Sequence, residues 1–202
     1  MDQVENRYEK STQDSKTKDM IVVFSSFTFV CFAIIFGLLV YDVLTIQNLL
    51  SFDQPMKSIM ILVISSIALV VYGVVLTFII PSNYIDDNNN SYQDDSLSKI
   101  LILMFIAAMF EETFFRGIIQ NVLFLFTTHE WVAILLTTGL FLVIHIQYFK
   151  KPIMLLNICI PSLVFGWIYF KTNNLLVPIL VHFIMNIGMT TLFKYKIISV
   201  KK

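Results

Sequence analysis

Charge is scarce in this chain and leans neither way. Only 14% of its 202 residues are Asp, Glu, Lys or Arg, and 14 basic side chains meet 14 acidic ones. Soluble domains carry about 25% charged residues, so a soluble globular class is excluded. No basic block is present, which removes nucleic acid as a partner. Cysteine is limited to Cys31 and Cys159. Both sit in apolar runs with no His nearby in sequence, which reads as packing rather than a disulfide or a thiol nucleophile. No repeat of fixed period is found, and the His-Glu-x-x-His signature of many zinc hydrolases is missing. A cleavable signal peptide is not expected either, because residues 1–19 are polar and charge-rich and the apolar run after them is too long for a signal core. That stretch reads as a flexible cytoplasmic tail.

Hydrophobic residues make up 57% of the chain and the mean hydropathy is +0.78, values of a polytopic membrane protein. Six apolar segments, 20–41, 58–80, 99–126, 131–148, 152–170 and 175–193, predict an all-α bundle of about six transmembrane helices. The organisation follows as a tail (1–19), a two-helix hairpin (20–81), a polar loop (82–98), a four-helix core (99–193) and a basic tail (194–202). Orientation is read from Lys and Arg in the connections. With the N-terminus inside, Arg7, Lys10, Lys16, Lys18, Lys99, Lys150, Lys151, Lys194, Lys196, Lys201 and Lys202 are cytoplasmic, eleven in all, against two outside, Lys57 and Lys171. Both termini are therefore expected in the cytoplasm, and the short chain with its Asn- and Lys-rich loops points to a bacterial protein, expected in the plasma membrane.

Against this background one stretch stands apart. Met109-Phe110-Glu111-Glu112-Thr113-Phe114-Phe115-Arg116 sets three ionisable groups inside a membrane-length run, where each charge costs roughly 3 kcal/mol at the bilayer centre. On a helix Glu112 and Arg116 share a face and can neutralise each other, a structural pair. Glu111 is turned about 100° away, and with no second cation evident in the sequence it is left to exchange protons or hold water or a metal. Two later helices add isolated polar groups, His145 after Phe141-Leu142-Val143-Ile144, and His182 one turn before Asn186.

Two chemistries fit these residues. In one, Glu111 is general base on a water that His145 shares, and His182 and Asn186 stabilise the developing oxyanion. In the other, Glu111, His145 and His182 are three ligands of a catalytic zinc with an open position for water. His129 beside Glu130 reads as solvated, Trp131 and Tyr148 as interface residues, and Gly117, Gly139, Gly166 and Gly188 as close helix contacts. Asn157 reads as a helix-to-helix hydrogen bond before a cavity group.

The order Glu-Glu-x-x-x-Arg, Phe-x-x-x-His, His-x-x-x-Asn on successive apolar helices resembles the CPBP family of intramembrane proteases. That family includes the CAAX prenyl endopeptidase and Abi-type bacterial homologues associated with bacteriocin self-immunity. The resemblance covers roughly residues 99–193 and implies endoproteolysis beside the membrane, with Glu111 and His145 on the water and His182 and Asn186 on the carbonyl. It implies as partners a hydrophobic peptide or membrane-anchored protein and the lipid bilayer. Both a metallo form and a glutamate form without ligated metal are argued for the family, and Asn186 suits an oxyanion donor better than a zinc ligand. Two other functions compete. An immunity protein acting by binding is disfavoured by three intact motifs, and a proton-coupled carrier by the lack of repeated halves.

Overall fold

The computed structural model describes residues 2–79, 95–150 and 152–198. Helices account for nearly all of it, and among the described residues the only strand-like pairing is an isolated bridge between Leu50 and Asn174. The chain runs as α1 (Asp2–Val40), a short α2 (Ile46–Leu49), α3 (Pro55–Ile79), α4 (Leu97–Glu112), a π-helical segment (Thr113–Gln120), α5 (Asn121–Thr127), α6 (Glu130–Ile144), α7 (Pro152–Thr172) and α8 (Leu176–Lys194). Because α4, the π segment and α5 are continuous, six long helical rods result. The six expected segments are all present.

Among the described residues, four stretches are long and apolar enough to cross a membrane: Lys16–Val40, Pro55–Ile79, Met154–Thr172 and Leu176–Lys194. The α4 to α5 rod carries the buried charges. With 15 residues, α6 rises only about 22 Å, short of a hydrocarbon core of about 30 Å. Apolar side chains face outward along the long helices, as with Phe29 and Phe36 on α1 and Ile64 and Ile67 on α3. In water such faces would be unstable; in lipid they are the solvent-matched surface.

Residues 2–19 correct the expectation of a flexible tail, because they continue α1 as helix. The stretch contains no Gly or Pro to interrupt a helix. Once the membrane segment supplies the nucleus, each further residue adds at little cost. The end of the expected hairpin, 80–81, most of the expected polar loop, 82–94, and the end of the basic tail, 199–202, lie outside the described residues.

The rods alternate in direction. At one end Ser51 N–H donates to Asn173 O at 2.8 Å and Leu175 N–H to Leu49 O at 2.8 Å, while Tyr169 Oη donates to Asn48 O at 2.7 Å. The α1 to α3 loop is thereby pinned on the α7 to α8 turn. At the other end Thr17 Oγ1 donates to Asp95 Oδ2 at 2.7 Å and Lys194 Nζ to Asp95 O at 2.8 Å, joining α1, the start of α4 and the end of α8.

The π segment lies at the centre, touching α1, α6 and α7. Its widened turn strands main-chain carbonyls that an α-helix would pair, and Asn121 Nδ2 takes two of them, Arg116 O at 3.2 Å and Gly117 O at 2.9 Å. Gly166 on α7 lets this rod approach, since a Cβ there would stand 2.8 Å from Gln120 Oε1 and 3.1 Å from Ile134. Gly117 and Gly188 make similar close contacts, whereas Gly139 faces open space, against expectation. Gly73 on α3, not singled out in the sequence, lies against Met189 of α8.

Candidate active site

The end of α4 turns Glu111 and Glu112 to different neighbours, as their 100° offset requires. Glu112 is fully buried. Its Oε1 accepts from Arg116 at 3.1 Å and lies 2.8 Å from His182 Nδ1, so it meets two partners where the sequence pointed to Arg116 alone. Arg116 is equally buried and extends from the π segment to α7, donating through one terminal nitrogen to Ser162 O and Ser162 Oγ, each at 2.8 Å. Ser162 in turn donates to Thr138 Oγ1 on α6 at 3.2 Å. The guanidinium lies between the rings of Phe141 and Phe165, 5.6 and 5.5 Å from their centroids, within cation–π range. One charge thus ties four helical segments together.

Glu111 retains access to the site's interior, its side chain 21% exposed. His182 Nε2 is 3.9 Å from Glu111 Oε2, and this ring is a cation only when protonated. His182 therefore sits between the two carboxylates, one on each ring nitrogen, with its ring stacked on Phe165 at 4.7 Å.

His145 is not inside a helix. Its backbone, φ −99° and ψ 36°, is the cap that ends α6, and a short 3₁₀ turn, Ile146–Tyr148, follows. The ring explains the stop. His145 Nδ1 donates to Phe141 O at 2.8 Å, satisfying one of the carbonyls that a helix end leaves unpaired. A carbonyl can only accept, so Nδ1 carries the hydrogen, and in the neutral ring Nε2 presents a lone pair.

Glu111, His145, His182 and Asn186 all line one cavity of about 260 Å³, together with Tyr148 and Asn157. A second cavity of about 240 Å³ adjoins it and shares Met154, Asn157, Met185 and Asn186 with the first. Its remaining wall is largely apolar and comes from α3, α4 and α8. Pro161 in α7 has no N–H, which removes the helical bond to the Asn157 carbonyl and leaves that acceptor beside both cavities. Asn157 is thus a cavity residue, and no side-chain hydrogen bond to another helix is seen for it among the described residues. Tyr148, expected at a membrane interface, instead lines the site 6.3 Å from the His145 ring. His129 is exposed as expected, and both cysteines are free thiols.

The zinc alternative does not find its geometry. Among the described residues no three His, Cys, Asp or Glu side chains are grouped to hold a metal ion. Of Glu111, His145 and His182, the Glu111–His182 pair comes to 3.9 Å. Ligands of one zinc each lie about 2.0–2.2 Å from the ion, a convergence these side chains do not make. What they do make is a pocket with a carboxylate, an imidazole lone pair and an Asn amide around one space.

Ser162, Thr138 and Phe165 escaped the sequence reading. Ser162 alone gave a signal, as a small polar residue next to a proline in an apolar helix.

Comparison with known proteins finds similarity over the part of the chain that holds this cavity. Residues 93–188 match the family model described as type II CAAX prenyl endopeptidase Rce1-like. The chain is also similar to the uncharacterized protein YpbD of Bacillus subtilis (strain 168), 31% identical over 109 residues. That alignment takes in 52% of this chain and 53% of YpbD, so the chain spans about half the length of the relative it matches. No solved structure matches it. Glu111, Glu112, Arg116, His145, His182 and Asn186 all fall inside the stretch 93–188 of this integral membrane protein that is similar to the Rce1-like family of type II CAAX prenyl endopeptidases.

Proposed function

We propose that this chain is a multi-pass endopeptidase of the bacterial plasma membrane that hydrolyses a bond in a hydrophobic peptide or membrane-anchored protein, with a role in peptide processing or bacteriocin self-immunity. One observation carries the reading: Glu111, His145, His182 and Asn186, drawn from three helical rods, line a single cavity inside an apolar bundle.

In the proposed reaction Glu111 is the general base. A water between its carboxylate and His145 Nε2 gives one hydrogen bond to each, which aims an oxygen lone pair at the scissile carbonyl. As the tetrahedral centre forms, the Asn186 amide and the His182 ring lie opposite, where negative charge develops on oxygen. No metal takes part in this sequence of steps. The adjoining apolar cavity, continuous with the site through Asn157 and Asn186, suits the hydrophobic side chains of such a substrate.

The test is cleavage of a quenched hydrophobic peptide library by purified protein in detergent, with and without chelator. Wild type is expected to cut in both conditions. Removal of one oxyanion donor costs about 10²–10³ in kcat, so Asn186→Ala is expected to fall in that range with its melting temperature unchanged. Equal activity in Asn186→Ala would remove it from the oxyanion site. Cleavage abolished by chelator and restored by zinc would replace the metal-free reaction, and folded wild type that cuts nothing would assign the cavity to binding.

The Lys and Arg distribution supports access from the cytoplasm. A cysteine introduced between residues 86 and 95 is expected to resist an impermeant thiol reagent in intact cells and to react after lysis. Ready labelling in intact cells would invert the topology.

A further inference from the structure

The hydrogen bond on His182 fixes where its proton sits. Nδ1 lies 2.8 Å from Glu112 Oε1, the same oxygen that accepts from the Arg116 guanidinium at 3.1 Å. An oxygen held by a buried cation is a carboxylate oxygen, an acceptor, so Nδ1 carries hydrogen. Glu112 Oε2 has no partner among the described residues, so the contacts of this carboxylate converge on one atom. A neutral His182 consequently exposes a lone pair at Nε2, 3.9 Å from Glu111 Oε2. Such a ring cannot donate to an oxyanion or an amine until it gains a second proton.

We propose that Glu112 and His182 form a carboxylate–imidazole dyad in which Glu112 is a positioning residue, holding His182 with Nε2 toward Glu111, and His182 carries a proton from Glu111 to the departing amine. The dyad deepens the hydrolytic reading of the same cavity and rests on it for the proton-carrying step. As the water oxygen bonds to the carbonyl carbon, one water proton passes to Glu111. Glu111 hands it to His182 Nε2, and the resulting imidazolium is held by the Glu112 charge on the far side of the ring. Its Nε2–H now donates toward the tetrahedral centre beside Asn186. When the C–N bond breaks, its electron pair stays on nitrogen, which takes the proton from Nε2. Glu111 is again ionised and His182 neutral. The second water proton leaves with the new carboxyl group, so water and peptide are the only reactants consumed.

The surroundings suit the shuttle. Glu111 and Glu112 face the ring from α4, Arg116 reaches it only through Glu112, Phe165 stacks on it from α7, and His145 lies on the wall of the same cavity. Arg116 offsets Glu112, which leaves Glu111 and His182 to exchange one proton between them without a net change of buried charge.

The decisive experiment is long-range ¹⁵N correlation of histidine-labelled protein in detergent micelles, which reads each ring's tautomer without substrate. The three histidines, His129, His145 and His182, are assigned by single replacement. His182 is expected to show a protonated Nδ1. The paired variant Glu112→Leu with Arg116→Met removes the lock while leaving no unpaired buried charge, and His182 is expected there to move toward the Nε2–H form. An unprotonated Nδ1 in wild type, or a folded paired variant that keeps Nδ1–H, would overturn the dyad.

On a peptide that wild type cleaves, Glu112→Gln keeps an acceptor for Nδ1 but loses the charge that holds the imidazolium. It is expected to lower kcat by at least about 100-fold with KM within about twofold. Unchanged kcat, or a loss only in KM, would end the proton-carrying role. The tautomer result stands apart from cleavage, so failure of the hydrolytic reading and failure of the lock are read separately.

Discussion

Arg116→Ala is expected to be the most destabilising single substitution in the core, at about 3–5 kcal/mol, read as a large fall in detergent melting temperature and in yield. The side chain is fully buried and contributes three hydrogen bonds, one to Glu112 and two to Ser162. It also lies between Phe141 and Phe165. Truncation removes all of these and leaves the Glu112 carboxylate with no full charge opposite it in a low-dielectric interior, which is the larger part of the loss. The paired Glu112→Leu with Arg116→Met variant is expected to recover most of the stability, since an apolar pair of similar volume carries no desolvation cost. A single Arg116→Ala that melts like wild type would show the ion pair to be dispensable.

Glu111→Gln is expected to act in the opposite way, with a loss of about 10²–10⁴ in kcat and little change in melting. Its carboxylate stands 3.9 Å from His182 Nε2, beyond hydrogen-bond distance, and its side chain keeps contact with the cavity. The amide has nearly the same shape and cannot take a proton from water. Peptide binding should persist, which makes this variant suitable for capturing an uncut substrate. A melting temperature that falls with activity would recast Glu111 as a structural residue like its neighbour.

The helical class, the six rods and the Glu112–Arg116 pair were legible because each depends on local periodicity: apolar length for the rods, and four-residue spacing for the pair. The contact between Glu112 and His182 was not, because 70 residues separate them and neither spacing nor hydropathy encodes which face of α8 meets α4. His145 was placed inside an apolar segment. Its ring instead ends the helix by bonding to Phe141 O, a choice between cap and helix interior that composition does not decide. The helical start of α1 was hidden for a related reason, since polar residues there report exposure rather than backbone shape. Tyr148 was drawn to the membrane interface by residue type, and the turn after His145 brings it to the cavity instead.

The most direct measurement is mass spectrometry of peptides incubated with the purified protein in ¹⁸O-labelled water, with Glu111→Gln alongside. Hydrolysis at this cavity predicts new termini at defined bonds, one ¹⁸O in each new carboxyl group, and no such products from the variant. Products made equally by both proteins, or folded wild type yielding no labelled carboxyl group from any peptide, would contradict a hydrolytic site built on Glu111.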